Sequence, residues 1–186
     1  MIELLVVIAI IAVLAAAGFA AGRAAMEKAK KVTAQSAATS LASAVEQFYS
    51  EYSTLPDPTG TGTADAAFTT EGTNGVRLLE ILSGKEAGTD PQNFRKINFL
   101  SVKDAKGNAA NYRDGIFYSG NTIVGLHDPW FRPYTVTLNL DYNETLTVSP
   151  GNPIPNQTLN GKNVAVFSLG VPAGNNASTK TLVKTW

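Results

Sequence analysis

The residues that could do chemistry are few. The single histidine, His127, stands beside Asp128. A histidine with a carboxylate partner can serve as a general base. Neighbours along a strand, however, point to opposite faces, so the two are read as structural residues and not as a catalytic pair. No nucleophile motif, phosphate-cradling glycine loop or metal-ligand spacing accompanies them. The chain has no cysteine, which excludes disulfides, thiol chemistry and thiolate metal sites. No catalytic residue and no metal ligand set emerge, and the expectation is a protein that is not an enzyme. The net charge of +0 offers no basic surplus for a nucleic-acid backbone. Asn143-Glu-Thr, Asn156-Gln-Thr and Asn176-Ala-Ser match the glycosylation triplet, a pattern that a chain rich in Asn and Thr produces by chance.

The unusual carboxylate is Glu3, because it heads a long apolar run. From Leu4 to Gly22 no residue carries a charge. At 1.5 Å per residue that run makes roughly 28 Å of helix, about the hydrocarbon thickness of a bilayer. A cleavable signal peptide would open with a basic segment, and no Lys or Arg precedes the run. A carboxylate at the edge of such a helix costs free energy in lipid unless it has a partner. The partner expected for Glu3 is the α-amino group of an adjacent subunit. Leu4, Leu5, Val6, Val7, Ile8, Ile10, Ile11 and Leu14 would then be assembly residues. Gly18 and Gly22 have a spacing that permits close helix approach. Each also weakens a helix by about 1 kcal/mol relative to Ala, so this stretch is expected to be a flexible point. The same residues leave one alternative, a bitopic membrane-anchored binding module that never polymerises.

The helical pattern continues to about Tyr52. Arg23, Lys28, Lys30 and Lys31 form a basic cluster, with Glu27 placed for an i,i+4 pair with Lys31. By the positive-inside rule this end would face the cytoplasm. Leu41, Val45, Phe48 and Tyr52 form an apolar stripe that should dock on a sheet. Leu55-Pro56-Asp57-Pro58 ends the helix. Residues 60–73 read as an exposed loop, 76–82 as a short helix closed by Gly84, 97–100 as a short strand and 101–115 as loop. Strands are expected at 115–120 and 122–125. Tyr134, Val136, Leu138, Leu140 and Tyr142 alternate with polar residues, the mark of a strand with one buried face. A partner at 145–148 would complete a hairpin, and 163–169 would be the last strand. The expected fold class is α+β, a long N-terminal α-helix with an apolar first half, packed on a small antiparallel β-sheet. The chain divides into three segments: 1–23 apolar, 24–55 amphipathic helix, and 56–186 an α+β head domain.

The string Ile2-Glu3-Leu4-Leu5-Val6-Val7-Ile8-Ala9-Ile10-Ile11-Ala12 closely resembles the N-terminus of type IV pilins and type II secretion pseudopilins. In that family a prepilin peptidase removes a basic leader and methylates the new N-terminus, which reads Phe-Thr-Leu-Ile-Glu. The resemblance implies a mature chain with two further residues ahead of Met1. It also implies a leader that holds the N-terminus inside, which answers the conflict raised by the basic cluster. Asp128-Pro129-Trp130-Phe131-Arg132-Pro133-Tyr134 resembles the Asp-Pro-Trp-Gly-x-Pro-Tyr motif of the major pseudopilins. Residues 164–170 and 183–186 resemble their ending, and Leu79-Glu80, Asn93 and Phe99-Leu100 are similar to relatives that share it.

What the resemblance implies is a pilin-like fold and a structural role for the motif. Pro129 and Pro133 would fix a turn, while Trp130 and Trp186 bury large apolar area beside Asp128 and Tyr134. The family's final loop binds calcium through several Asp side chains. Here residues 171–182 contain no carboxylate. Asn175, Asn176 and Ser178 offer only uncharged oxygens and Lys180 opposes a cation, so neither calcium nor another cofactor is expected. The implied function is a structural subunit of a type IV pilus-like or type II secretion pseudopilus filament, polymerising through its apolar helix. The implied partners are further copies of the chain, a prepilin peptidase, an inner-membrane assembly platform and its ATPase. The subunit would sit in the inner membrane before assembly, then in a periplasmic or extracellular filament.

Overall fold

The computed structural model describes residues 2–151, 154–171 and 181–186, with the backbone alone for 2, 16–18, 20 and 21. Helix α1 spans Ile2–Tyr52. Its second half builds the core. Ala34, Ala38, Leu41, Ala44, Val45 and Phe48 are buried, at the three- and four-residue spacing that puts them on one face. The alanines let the helix backbone approach the sheet closely, and the larger residues fill the space towards its end. Tyr52 closes the stripe, half-buried, with its ring 4.6 Å from Phe48.

The remaining elements are β1 (Ala66–Thr69), α2 (Thr73–Ser83), β2 (Lys106–Asn108), β3 (Asn111–Arg113), β4 (Gly115–Ser119), β5 (Thr122–His127), β6 (Thr135–Leu138), β7 (Thr145–Val148), β8 (Gln157–Asn160), β9 (Val164–Ser168) and β10 (Val183–Lys184). Four strands form an antiparallel sheet in the order β1-β6-β9-β10, and β2–β3, β4–β5 and β7–β8 form two-stranded pairs. Every residue of β9 is buried. Val164 and Val166 face α1, with Val136 and Leu138. Ala165 and Phe167 face the other way, into a second cluster with Leu146, Val148 and Trp186. The four-stranded sheet is thus the middle of three layers, with α1 on one side and β7–β8 on the other.

Helix α2 buries Leu78, Leu79, Ile81 and Leu82. It can lie against the end of β1 because position 75 is glycine: a Cβ there would stand 1.9 Å from the Thr69 carbonyl oxygen. Gly84 ends the helix in the left-handed conformation, φ 68°. Asn93 then ties three segments together. Its Nδ2 donates to the Ile81 and Ile97 carbonyls, each at 2.7 Å, and its Oδ1 accepts from the Tyr52 hydroxyl and the Ile97 N–H.

The expected architecture is corrected on several points. Among the described residues no helix is long and apolar enough to cross a membrane; the apolar stretch with described side chains runs over about 13 residues. The body is mostly β-sheet, ten strands among the described residues, and not one small sheet against a helix. The hairpin expected between 134–142 and 145–148 does not form. β6 pairs with β1 and β9, and β7 pairs with β8. The alternation through β6 predicts one buried face and one wet face, yet Thr137 and Asn139 are buried as well, because β7–β8 covers the outer side. No strand forms at 97–100, whereas β1 and β2–β3 occupy segments whose composition suggests loop. Helix α2 and strands β4 and β5 stand where expected, and the two strands pair as a hairpin.

Phe48→Ala should lower the unfolding free energy by about 3–5 kcal/mol, the cost of an aromatic cavity in a packed core. Gly75→Ala should destabilise comparably, because backbone must move to admit the methyl group. Gly22→Ala meets nothing within 4 Å and should stabilise α1 by up to about 1 kcal/mol. Urea unfolding followed by circular dichroism measures all three.

Candidate functional site

The first turns of α1 carry the most conspicuous surface. Leu4, Leu5, Val6, Val7, Ile8, Ile10, Ile11, Val13 and Leu14 are 52–71 % exposed. At 100° per residue they cover every side of the helix and not one stripe. Burying the exposed half of nine such side chains is worth on the order of 10 kcal/mol per chain. Glu3 lies in the first turn, where a carboxylate suits the positive end of the helix. Gly22 is flanked by open space, and of Gly18 only the backbone is described.

The motif residues fix how that helix leaves the body. Asp128 is fully buried. Its Oδ1 accepts from the backbone N–H of Trp130 at 2.7 Å and of Arg132 at 2.9 Å, and its Oδ2 accepts from the Ser168 hydroxyl on β9. The Asp128 N–H in turn donates to the Arg132 carbonyl at 2.8 Å. The loop between β5 and β6 is thereby closed on itself, with Pro129 inside it and Pro133 in a bridge to His127. This holds Trp130 against α1, where its Nε1 donates to Glu27 Oε2 at 3.0 Å. Tyr134, on the same loop, is fully buried and its hydroxyl donates to the Ala34 carbonyl at 3.3 Å. Glu27 also takes Lys30 at 2.6 Å. Lys30 first and Trp130 second hold the Glu27 carboxyl below its ordinary range. Trp186 packs edge-on against Phe167 at 6.0 Å and donates to Gln157, closing the outer layer.

His127 is buried in a stack. Its ring lies 4.1 Å from that of Tyr112, Nδ1 is 3.1 Å from the Tyr112 carbonyl oxygen, and Nε2 is 3.4 Å from Glu71 Oε2. Since a carbonyl oxygen only accepts, Nδ1 carries the proton. Burial first, and the Glu71 charge second, push the Tyr112 hydroxyl up to about 12. His127 thus turns its basic nitrogen to Glu71 and away from Asp128, whose carboxylate is consumed by the loop. The adjacent pair makes no catalytic dyad. A cavity of about 390 Å³ lies beside α1, bordered by Ser36, His127, Tyr134 and the Lys103–Asp114 ion pair; its lining offers no nucleophile held by a base.

Among the described residues no group of three His, Cys, Asp or Glu could hold a metal ion. Residues 172–180, with Asn175, Asn176, Ser178 and Lys180, lie outside the described residues. Sequence reasoning missed Ser168 and Tyr112, and for Glu27 it gave a helical ion pair but not the bond to Trp130. Ser168 was detectable as the hydroxyl residue in an otherwise apolar strand; Glu27 and Tyr112 carry no such signal. No family model matches the chain, and no curated protein or solved structure does.

Asp128→Ala should cost about 3 kcal/mol or more, because the Trp130 and Arg132 amides and the Ser168 hydroxyl lose their acceptor in a buried place. Burial pushes the Asp128 carboxyl above its ordinary value, against hydrogen bonds from Ser168, Arg132 and Trp130 and the neighbouring His127, which pull it down. A raised acid binds its proton more tightly in the folded chain. Its contribution to stability is therefore largest below the unfolded value of 3.8 and declines as pH rises through that value to the raised one. Asp128→Asn should remove that part of the pH dependence in thermal unfolding scans from acid upward.

Proposed function

We propose that this protein is a structural subunit that polymerises with copies of itself through the apolar start of α1, in a filament of the type IV pilus or type II secretion pseudopilus kind. The observation that carries the reading is the exposure of Leu4 to Leu14 on all sides of the helix. A groove in a globular partner covers one face of a helix; a bundle of like helices covers all of them. Glu3 fits the same reading. Against a neighbour's N-terminal amino group its charge would be answered, and its place at the helix start fixes the axial stagger between subunits.

The body supports the role by holding α1 firmly at one end. The buried stripe, the Trp130–Glu27 bond and the Tyr134–Ala34 bond make helix and body one unit, so that packing of helices sets the positions of the bodies. The inner-membrane stage, the prepilin peptidase, the assembly platform and the ATPase rest on resemblance alone, as does the passage to a periplasmic or extracellular filament.

Full-length protein freed of detergent should sediment as polymers and give uniform filaments in negative-stain electron microscopy. Ile8→Asp, Ile11→Asp and Glu3→Ala should each abolish them without changing thermal unfolding of the body, since all three side chains are exposed. A wild-type chain that stays monomeric, or filaments that persist in all three variants, would overturn the reading.

A further inference from the structure

The chain carries three Asn-x-Ser/Thr triplets, and composition alone accounts for their number. The structure separates them. Asn143, Glu144 and Thr145 are all exposed, where the β6–β7 connection runs into β7. The chain bends at Glu144, and the Asn143 side chain folds back over the bend. Its Oδ1 accepts from the Thr145 backbone N–H at 2.9 Å and from the Thr145 hydroxyl at 3.3 Å. Its Nδ2 donates to Asp141 Oδ2 at 2.7 Å. In the second triplet, Thr158 belongs to β8 and pairs with Thr147, and among the described residues no hydrogen bond joins it to Asn156. Asn176, of the third, lies outside the described residues.

The surrounding loop holds that arrangement in place. Asn139 Nδ2 donates to the Asn143 carbonyl at 2.7 Å, and the Asn143 N–H donates to Asp141 Oδ1 at 3.2 Å. The Gly161 N–H donates to the Glu144 carbonyl at 2.9 Å, and the Leu55 N–H to the Tyr142 hydroxyl at 2.9 Å. A carboxamide nitrogen is ordinarily a poor nucleophile, because its lone pair is shared with the carbonyl. At Asn143 two donors draw electron density to the oxygen, while a carboxylate accepts from the nitrogen. Both effects favour the imidic form, in which the lone pair stays on nitrogen. The carboxylate also stands where a departing proton would go, as a base stands beside an activated nucleophile.

We propose that Asn143 is an acceptor site for N-linked glycosylation, taking a sugar chain from a polyprenyl-diphosphate donor on an oligosaccharyl transferase. Nδ2 attacks the anomeric carbon of the first sugar. The carbon–nitrogen bond forms as the bond from that carbon to the diphosphate oxygen breaks. Polyprenyl diphosphate leaves with the electron pair, and the amide proton passes by way of Asp141 to water. No oxidant or reductant enters. Asn143 supplies the nitrogen, Thr145 polarises the amide oxygen and Asp141 receives the proton. The place suits a bulky group. Tyr142 meets Leu55 just past the end of α1, so the loop lies at the other end of that helix from Leu4–Leu14. About 55 Å of helix separates Leu14 from Tyr52 at 1.5 Å per residue, and a sugar there leaves the apolar segment free to pack. The site needs the body to stand outside the cytoplasm, as the filament reading does, but it does not need polymerisation.

Full-length protein purified from the cells that make it is digested and mapped by tandem mass spectrometry. The peptide containing Asn143 should carry a carbohydrate mass on that residue, and the peptide containing Asn156 should carry none. Thr145→Val and Asp141→Ala, made in the same cells, should each lower the occupancy of Asn143 by about tenfold or more, whereas Thr145→Ser should keep it. Both altered side chains are exposed, so the variants should unfold at the wild-type temperature, and a loss of sugar then reads the chemistry and not the fold. An unmodified Asn143 in the wild-type protein would overturn the proposal. Equal occupancy in Thr145→Val and wild type would do the same, as would equal occupancy at Asn143 and Asn156. A chain that carries the sugar yet stays monomeric would support this site and sink the filament reading.

Discussion

The contact between the second half of α1 and the central sheet is the interaction on which the rest of the molecule depends. Ala34, Ala38 and Ala44 bring the helix close, and Leu41, Val45 and Phe48 fill the space against Val136, Leu138, Val164 and Val166. Everything else is arranged around that contact. Helix α2 and the β4–β5 hairpin wall its sides with Leu78, Leu82, Ile116 and Leu126, and β7–β8 covers the far face of the sheet. A strand such as β9, buried on both faces, can exist in so small a body only because a second layer was added outside it.

The loop between β5 and β6 turns that contact into a defined geometry. A buried carboxylate is expensive unless donors surround it, and Asp128 has two backbone amides and a hydroxyl. The same arrangement forces Phe131 to φ 66°, a left-handed conformation that costs a residue with a Cβ about 1–2 kcal/mol. The motif that this loop resembles has glycine at that position. Phe131 lies under the Arg113 guanidinium, 4.9 Å from the ring centroid, a contact worth up to about 1 kcal/mol at an exposed site. Strain and attraction thus offset one another in part, and the loop keeps its shape without glycine.

The two halves of α1 have opposite needs. The second half is amphipathic and satisfied by its own chain. The first is apolar on all sides, and its described side chains from Leu4 to Leu14 are exposed. That contrast leaves the first half in need of cover from outside its own chain. A chain that buried its first half against its own body would need a second apolar surface there, and apart from Phe94, Phe131 and Tyr142 the body's large apolar residues are committed to its two cores.

Much of this was legible in the residues alone, for a plain reason: helices and turns are decided by neighbours a few positions apart. The stripe Leu41–Val45–Phe48–Tyr52, helix α2 with its Gly84 cap, the strands β4 and β5 and the charge-free run after Glu3 all rest on local periodicity or on a single backbone conformation. The pairing of strands does not. Alternation in 134–142 marks a strand but not its neighbours, so it could not tell that β6 would run between β1 and β9, or that β7–β8 would seal its polar face. The roles of His127 and Asp128 were beyond reach for the same reason. Which atoms a buried carboxylate or imidazole meets is set by Ser168, Tyr112, Glu71 and Trp130, and only long-range packing brings these together.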